Sequence, residues 1–110
     1  MKNGRLGVLE LTILLAVARL GDDAHGLAVR RDLSARTGHD YSVGAVYTTL
    51  DRLEAKGLVA SRRTAPIAVR GGRSRRQFRV TAAGRGAMRD AQQRTTALWA
   101  GVANLGPRST

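Results

Sequence analysis

The stretch "YSVGAVYTTLDRLEAKGLV", Tyr41 to Val59, decides the fold. Ser42 has the side chain of a helix N-cap, a short oxygen acceptor for an unpaired backbone amide. Val43, Val46, Tyr47, Leu50 and Leu53 recur at i, i+3, i+4, i+7 and i+10, the inward stripe of a helix. Gly57 closes it. Between those positions lie Gly44, Ala45, Thr48, Thr49 and Arg52, which the spacing turns outward. A helix face that only meets water more often carries Glu and Lys in i, i+4 pairs. A face of small and hydrogen-bonding residues allows close approach to another surface.

Working outward, "LVASRRT" and "RRQFRVT" alternate as two antiparallel strands should. The connection between them contains Pro66 and the pair Gly71-Gly72. Thr81 is placed to N-cap a last helix running to Leu105, with thinly spread apolar positions at Ala87, Met88, Ala91, Leu98, Val102 and Leu105. Such a helix has little to bury alone and calls for a partner. Upstream, "LGVLELTILLAVARLG" is apolar on nearly every side and predicts a core helix ended by Gly21. "DDAHGLAVRRDLSARTG" predicts a second helix capped by Asp22 or Asp23 and closed by Gly38. Its apolar set, Leu27, Val29 and Leu33, predicts a surface helix with a narrow stripe.

The chain has 110 residues, a size that suits one domain. Its formal charge is +11, and arginine supplies seventeen of nineteen basic residues. Arginine suits bidentate phosphate and guanine contacts, so the charge points to a nucleic acid. A membrane binder would carry a basic amphipathic helix with aromatic anchors. Here the densest charge lies in Ser61–Val80, which has seven arginines and no acid, and no membrane partner is expected. Cysteine is absent, which excludes disulfides, thiolate metal sites and cysteine nucleophiles. The apolar run Leu6–Leu20 is too short to span a bilayer and no cleavage site follows it, so the cytoplasm is the expected compartment.

Three helices, a hairpin and a final helix give a mainly α fold with a small β-hairpin. This is a winged helix-turn-helix over residues 5–81, followed by a C-terminal dimerisation helix over 82–106. The third helix would enter a groove of double-stranded DNA. The hairpin, as the wing, would place Arg70, Gly71, Gly72, Arg73, Arg75 and Arg76 against phosphates, contacts that position without reading sequence.

The same segments resemble the PadR family of bacterial transcriptional regulators. The resemblance runs from Leu6 to Arg85 through "LGVLELTIL", "HGLAVRRDL", "YSVGAVYTTLDRLEAKGLV" and "GGRSRRQFRVTAAGR". The third and fourth pieces are the specific ones. Leu27 stands where the family often has tyrosine, and Gln77-Phe78 replaces the commoner aromatic pair. The resemblance implies a repressor that binds a pseudo-palindromic operator as a homodimer joined through the C-terminal helix. It places Ser42, Gly44 and Tyr47 on the DNA backbone, with Thr48, Thr49 and Arg52 near bases. A nonspecific architectural or RNA-binding basic protein is the rival reading, and such a protein has no need of that helix face.

Other chemistry finds little support. His25 and His39 are the only histidines and do not make a metal site. His25 reads as a structural hydrogen-bonding residue. The eight carboxylates form no catalytic pair, no serine sits in a nucleophile elbow, and "GGRSRR" is not a phosphate loop of the Walker type. No enzyme and no cofactor are expected. Trp99, the sole tryptophan, has two readings. It closes the dimer as a hydrophobic contact, or with its mate it lines a cavity for a small planar aromatic effector.

Overall fold

The computed structural model describes residues 6–64 and 75–103. Its elements are α1 (Val8–Leu20), a 3-10 turn (Gly21–Asp23), α2 (Gly26–Thr37), α3 (Val43–Ala55), β1 (Val59–Arg63), β2 (Arg76–Val80) and α4 (Ala82–Trp99). The strands pair antiparallel with Ser61 opposite Phe78 and Val59 opposite Val80. The winged helix-turn-helix architecture expected from the sequence is what the chain adopts.

Helix ends follow local chemistry. Ser42 Oγ accepts from the Ala45 amide at 3.0 Å, and Thr81 Oγ1 accepts from the Gly84 amide at 3.0 Å. Glycines in left-handed backbone close α2 at Gly38 and follow α3 at Gly57. The α2 cap differs from expectation. Asp22 and Asp23 belong to the 3-10 turn, and His25 occupies the N-cap position.

Ile13, Leu14, Val17, Val46, Leu50, Leu53, Val59 and Phe78 form the centre of the core. Helix α2 contributes more to it than its sparse leucines suggest. Val29 and Leu33 are buried, with Gly26 and Ala28 packed beside them, while Leu27 is exposed. The narrow surface stripe is thus corrected to a closely packed helix face whose small residues let neighbouring backbones approach. Helix α1 is buried along one broad side only. Leu15 is exposed and Leu11 half-buried on the side that meets α4.

Strand β2 stitches the hairpin to the segment that joins α1 and α2. The Phe78 amide donates to the Ala24 carbonyl at 2.7 Å, and Gln77 Nε2 donates to the Asp22 carbonyl. At its base, Thr81 N donates to the Leu58 carbonyl at 3.0 Å. Helix α4 packs close there: a Cβ on Gly84 would stand 2.1 Å from the Leu58 carbonyl oxygen. The helix ends at Trp99, short of the expected Leu105, and Gly101 takes a positive φ just beyond it. Leu105 lies outside the described residues.

Candidate nucleic-acid interface

Helix α3 has its apolar side against α1 and α2. Ser42, Gly44, Thr48 and Arg52 are exposed along the opposite side, as the spacing required. Two positions depart from it. Thr49 is 2% exposed and lies inside, so it cannot face a partner surface. The physical reason is helical geometry: Val46, Thr49, Leu50 and Leu53 stand at i, i+3, i+4 and i+7 and share one face. Val43, expected inside, is 44% exposed because it precedes the packed turn.

Tyr47 is half-buried, and its ring lies on Gly26 at the start of α2. A Cβ on Gly26 would be 2.2 Å from Cζ and 2.3 Å from the hydroxyl oxygen, so this contact needs glycine. Tyr47 therefore joins α2 to α3, with its hydroxyl at the seam between them. The first amides of α3 have no intrahelical acceptor, and the helix dipole adds partial positive charge at this exposed end.

The arginines of the hairpin divide by strand geometry. Arg63 and Arg76 are cross-strand partners on the ribbon face shared with Ser61 and Phe78, which turns toward α3. Arg76 reaches back to α3, with Nη1 2.9 Å from Asp51 Oδ1 and Nη2 2.7 Å from Glu54 Oε1. Its guanidinium also lies 4.8 Å from the centre of the Phe78 ring. The Asp51 hydrogen bond chiefly raises its pKa, with burial opposing. The expectation that Arg76 is a free phosphate-gripping cation is corrected: two carboxylates already neutralise it. Glu54 also accepts from Ser61 Oγ at 2.7 Å, so the ion pairs tie the wing root to the helix.

Arg75 is exposed, and among the described residues no carboxylate pairs with its guanidinium, which lies 3.2 Å from His25 Nε2 through Nη1. His25 Nδ1 is 3.4 Å from the Ala28 amide. Both neighbours are donors, and a neutral imidazole has one acceptor nitrogen, so it can bond only one of them at a time. Burial first, then the charges of Arg75 and Arg31, hold the His25 pKa below its ordinary value. Arg70, Gly71, Gly72 and Arg73 lie outside the described residues.

Sequence reasoning missed Asp51, Glu54 and His25 as partners of this region. The strand period carried one usable signal: with Phe78 inward, Arg76 must share its face. Elsewhere, the Lys56–Glu10 pair at 2.8 Å and the Arg19–Asp32 pair brace α1 against its neighbours. The described residues include no group of three or more His, Cys, Asp or Glu able to hold a metal ion. No helix among them is long and apolar enough to cross a membrane.

An open groove of ≈520 Å³ runs between α1 and α4, bounded by Leu11, Leu15, Met88, Ala91 and Thr95. Trp99 lies one helical turn beyond Thr95 and is 56% exposed, next to Leu98 at 77%.

Comparison with known proteins is consistent with this architecture. A model of the PadR-like family of transcriptional regulators matches residues 14–90. The transcriptional regulator Rv3488 of Mycobacterium tuberculosis is 43% identical over 67 residues, which are 61% of this chain and 58% of that protein. The match thus spans less than two thirds of that relative. A PadR-family transcriptional regulator from Eggerthella lenta superposes with a TM-score of 0.65 at 27% identity, covering 86% of this chain and 84% of that one. Bacillus subtilis PadR, solved in complex with operator DNA, superposes with a TM-score of 0.67 at 17% identity, covering 94% of this chain and 52% of that one. At that identity the likeness concerns the fold. With the family model spanning most of the chain, the protein belongs to the PadR-like family of transcriptional regulators.

Proposed function

We propose that the chain is a transcriptional repressor that binds a pseudo-palindromic operator in double-stranded DNA as a homodimer. One observation carries the reading: the exposed face Gly44, Thr48 and Arg52 on α3 stands beside a hairpin bearing arginines. A solved relative of the same fold, Bacillus subtilis PadR, is seen with operator DNA. In this scheme residues 5–81 form the DNA-binding unit. Thr48 and Arg52 approach base edges, while Ser42, Gly44 and the α3 amides approach phosphate. Tyr47 adds its hydroxyl at the α2–α3 seam. In the wing, Arg70, Arg73 and Arg75 supply charge along the DNA backbone, and Gly71 and Gly72 lie between them in the sequence.

Residues 82–106 serve as the dimerisation helix. A second copy would cover the groove at Leu11, Leu15 and Met88 and the exposed Leu98 and Trp99. Trp99 then closes the dimer, or it lines a site between the copies for a small planar aromatic effector. An effector that prefers a dimer with mis-spaced recognition helices weakens DNA binding by the factor by which DNA weakens the effector.

The test is to select bound fragments from genomic DNA and compare Arg52→Ala with Arg75→Ala on them and on random duplex. Arg52→Ala should cost about 1–3 kcal/mol on the selected site and relax preference at one position in each half-site. Arg75→Ala should weaken all duplexes alike and reduce the salt slope by roughly one. Equal losses from both variants on every sequence would favour the rival reading, a nonspecific architectural or RNA-binding protein.

A further inference from the structure

The ribbon face turned away from α3 carries Ala60 and Arg79, paired across the strands, and Arg62 paired with Gln77. Arg62 and Arg79 are therefore on the side opposite the recognition helix, and DNA reading leaves them without a task. They border a second concave space of ≈470 Å³ enclosed by the end of α1, the hairpin and the start of α4. Arg85 of α4 lines it as well, above apolar surface from Val17, Ala18 and Met88.

Three cations in one groove need an explanation. Among the described residues, ion pairs engage Arg19, Arg36, Lys56 and Arg76, and none engages Arg62, Arg79 or Arg85. Arg62 and Arg79 are diagonal cross-strand neighbours, a spacing of roughly 7–8 Å at which long side chains still interact. Like charges so placed repel unless an anion lies between them. Among the described residues on the wall Asp22 is the one carboxylate, against the three arginines.

We propose that this groove binds a small organic phosphomonoester, its phosphoryl group held by Arg62, Arg79 and Arg85 and its apolar body on Val17, Ala18 and Met88. Charge matching selects the headgroup, because a phosphomonoester carries a charge of roughly −1.5 to −2 near neutral pH. Guanidinium forks suit its oxygens, and each arginine can donate to a different one. The apolar floor selects a ligand with a hydrocarbon body over inorganic phosphate. The volume is within the roughly 300–1,000 Å³ of small-molecule sites. The site adjoins the α1–α4 groove, with which it shares Arg85 and Met88, but its phosphoryl-binding wall at Arg62 and Arg79 and its floor at Val17 and Ala18 belong to it and not to that groove. It does not include Trp99, and it requires no DNA.

The experiment titrates the full chain, without DNA, with 1-naphthyl phosphate while recording backbone amide resonances. Saturable shifts should map to Ala18, Gly21 and Ala60, which line this groove and not the one between α1 and α4. Comparison ligands are 1-naphthol, inorganic phosphate and 1-naphthoate, and each should bind at least about tenfold more weakly. The Arg62→Gln/Arg79→Gln variant should lose about tenfold or more in affinity. Its unchanged Phe78 and Val59 resonances would show an intact hairpin. Equal binding of naphthol would reduce the site to an apolar surface, and equal binding of inorganic phosphate to a bare anion site. Equal binding of naphthoate would refute the charge matching. Shifts centred on Thr95 and Trp99, or displacement of the probe by a short duplex acting on the same amides, would also overturn the proposal. The ligand comparisons decide the matter even if the double variant fails to fold.

Discussion

Replacing Arg76 by methionine keeps most of the aliphatic stem and removes the guanidinium, which separates its two conceivable roles. Arg76 pairs with Asp51 and Glu54, whose side chains are 61% and 36% exposed. Exposed pairs of this kind contribute about 0.2–1 kcal/mol each, and the stacking on Phe78 about 0.5–1 kcal/mol. The net loss should be about 1–2 kcal/mol, a fall of several degrees in Tm for a domain of this size. Duplex binding should also weaken, because Asp51 and Glu54 would then present uncompensated negative charge beside the recognition face. The salt slope is the deciding measurement. A lysine or arginine on phosphate contributes about 0.9 to it, whereas a cation already neutralised by carboxylates contributes close to nothing. Arg76→Met should therefore lower Tm and leave the slope nearly unchanged, with Arg75→Met doing the reverse. A slope reduced by about one with Tm unaltered would place Arg76 on phosphate and refute its role as the tie between wing and helix.

Thr49→Val should leave base preference intact, because Thr49 is buried, whereas Thr48→Val should alter it; selection of bound sequences by both variants checks this. Gly84→Ala forces a methyl against the hydrogen-bonded Leu58 carbonyl. It should cost about 1–3 kcal/mol or more in a denaturant titration. The His25 pKa is depressed from 6.5 in the folded chain. As pH falls through that value the unfolded chain takes up the proton first, so stability declines until the pH passes below the folded value. His25→Asn should flatten this segment of the stability–pH curve, measured by denaturation between about pH 7.5 and pH 5.

Most helix boundaries were legible because capping is chemistry between near neighbours, the exceptions being the start of α2, capped by His25, and the end of α4 at Trp99. Ser42, Thr81, Gly38 and Gly57 each act within a few residues of their own position. Thr49 was read as outward with the other residues between the apolar positions, although three residues after Val46 and four before Leu53 it shares their buried face. The misreading of α2 depended instead on packing at a distance. Helix α2 looked too poor in leucine for the core, since Gly26 and Ala28 carry no visible apolar stripe. They are buried because Tyr47 and the neighbouring backbones approach there. Trp99 was expected mid-helix, but the chain leaves the helix directly after it.

The arginine-rich hairpin shows why a charge count is a poor map of a charged surface. Counted along the chain, Arg62, Arg63, Arg75, Arg76 and Arg79 form one basic cluster. A strand alternates its side chains, so the cluster must divide between two faces of the ribbon. On one face Arg76 is neutralised by Asp51 and Glu54, residues 25 and 22 positions earlier in the chain. On the other, Arg62 and Arg79 line a groove together with Arg85, from a helix that begins only after the hairpin has ended. Arg75 stands at the strand entrance, where it touches His25 of the α2 cap. A single run of sequence thus supplies a structural tie, an exposed cation beside the α2 cap and part of the lining of a groove on the opposite face. Which arginine does which depends on the Ser61–Phe78 register, and a one-residue slip would exchange the two faces.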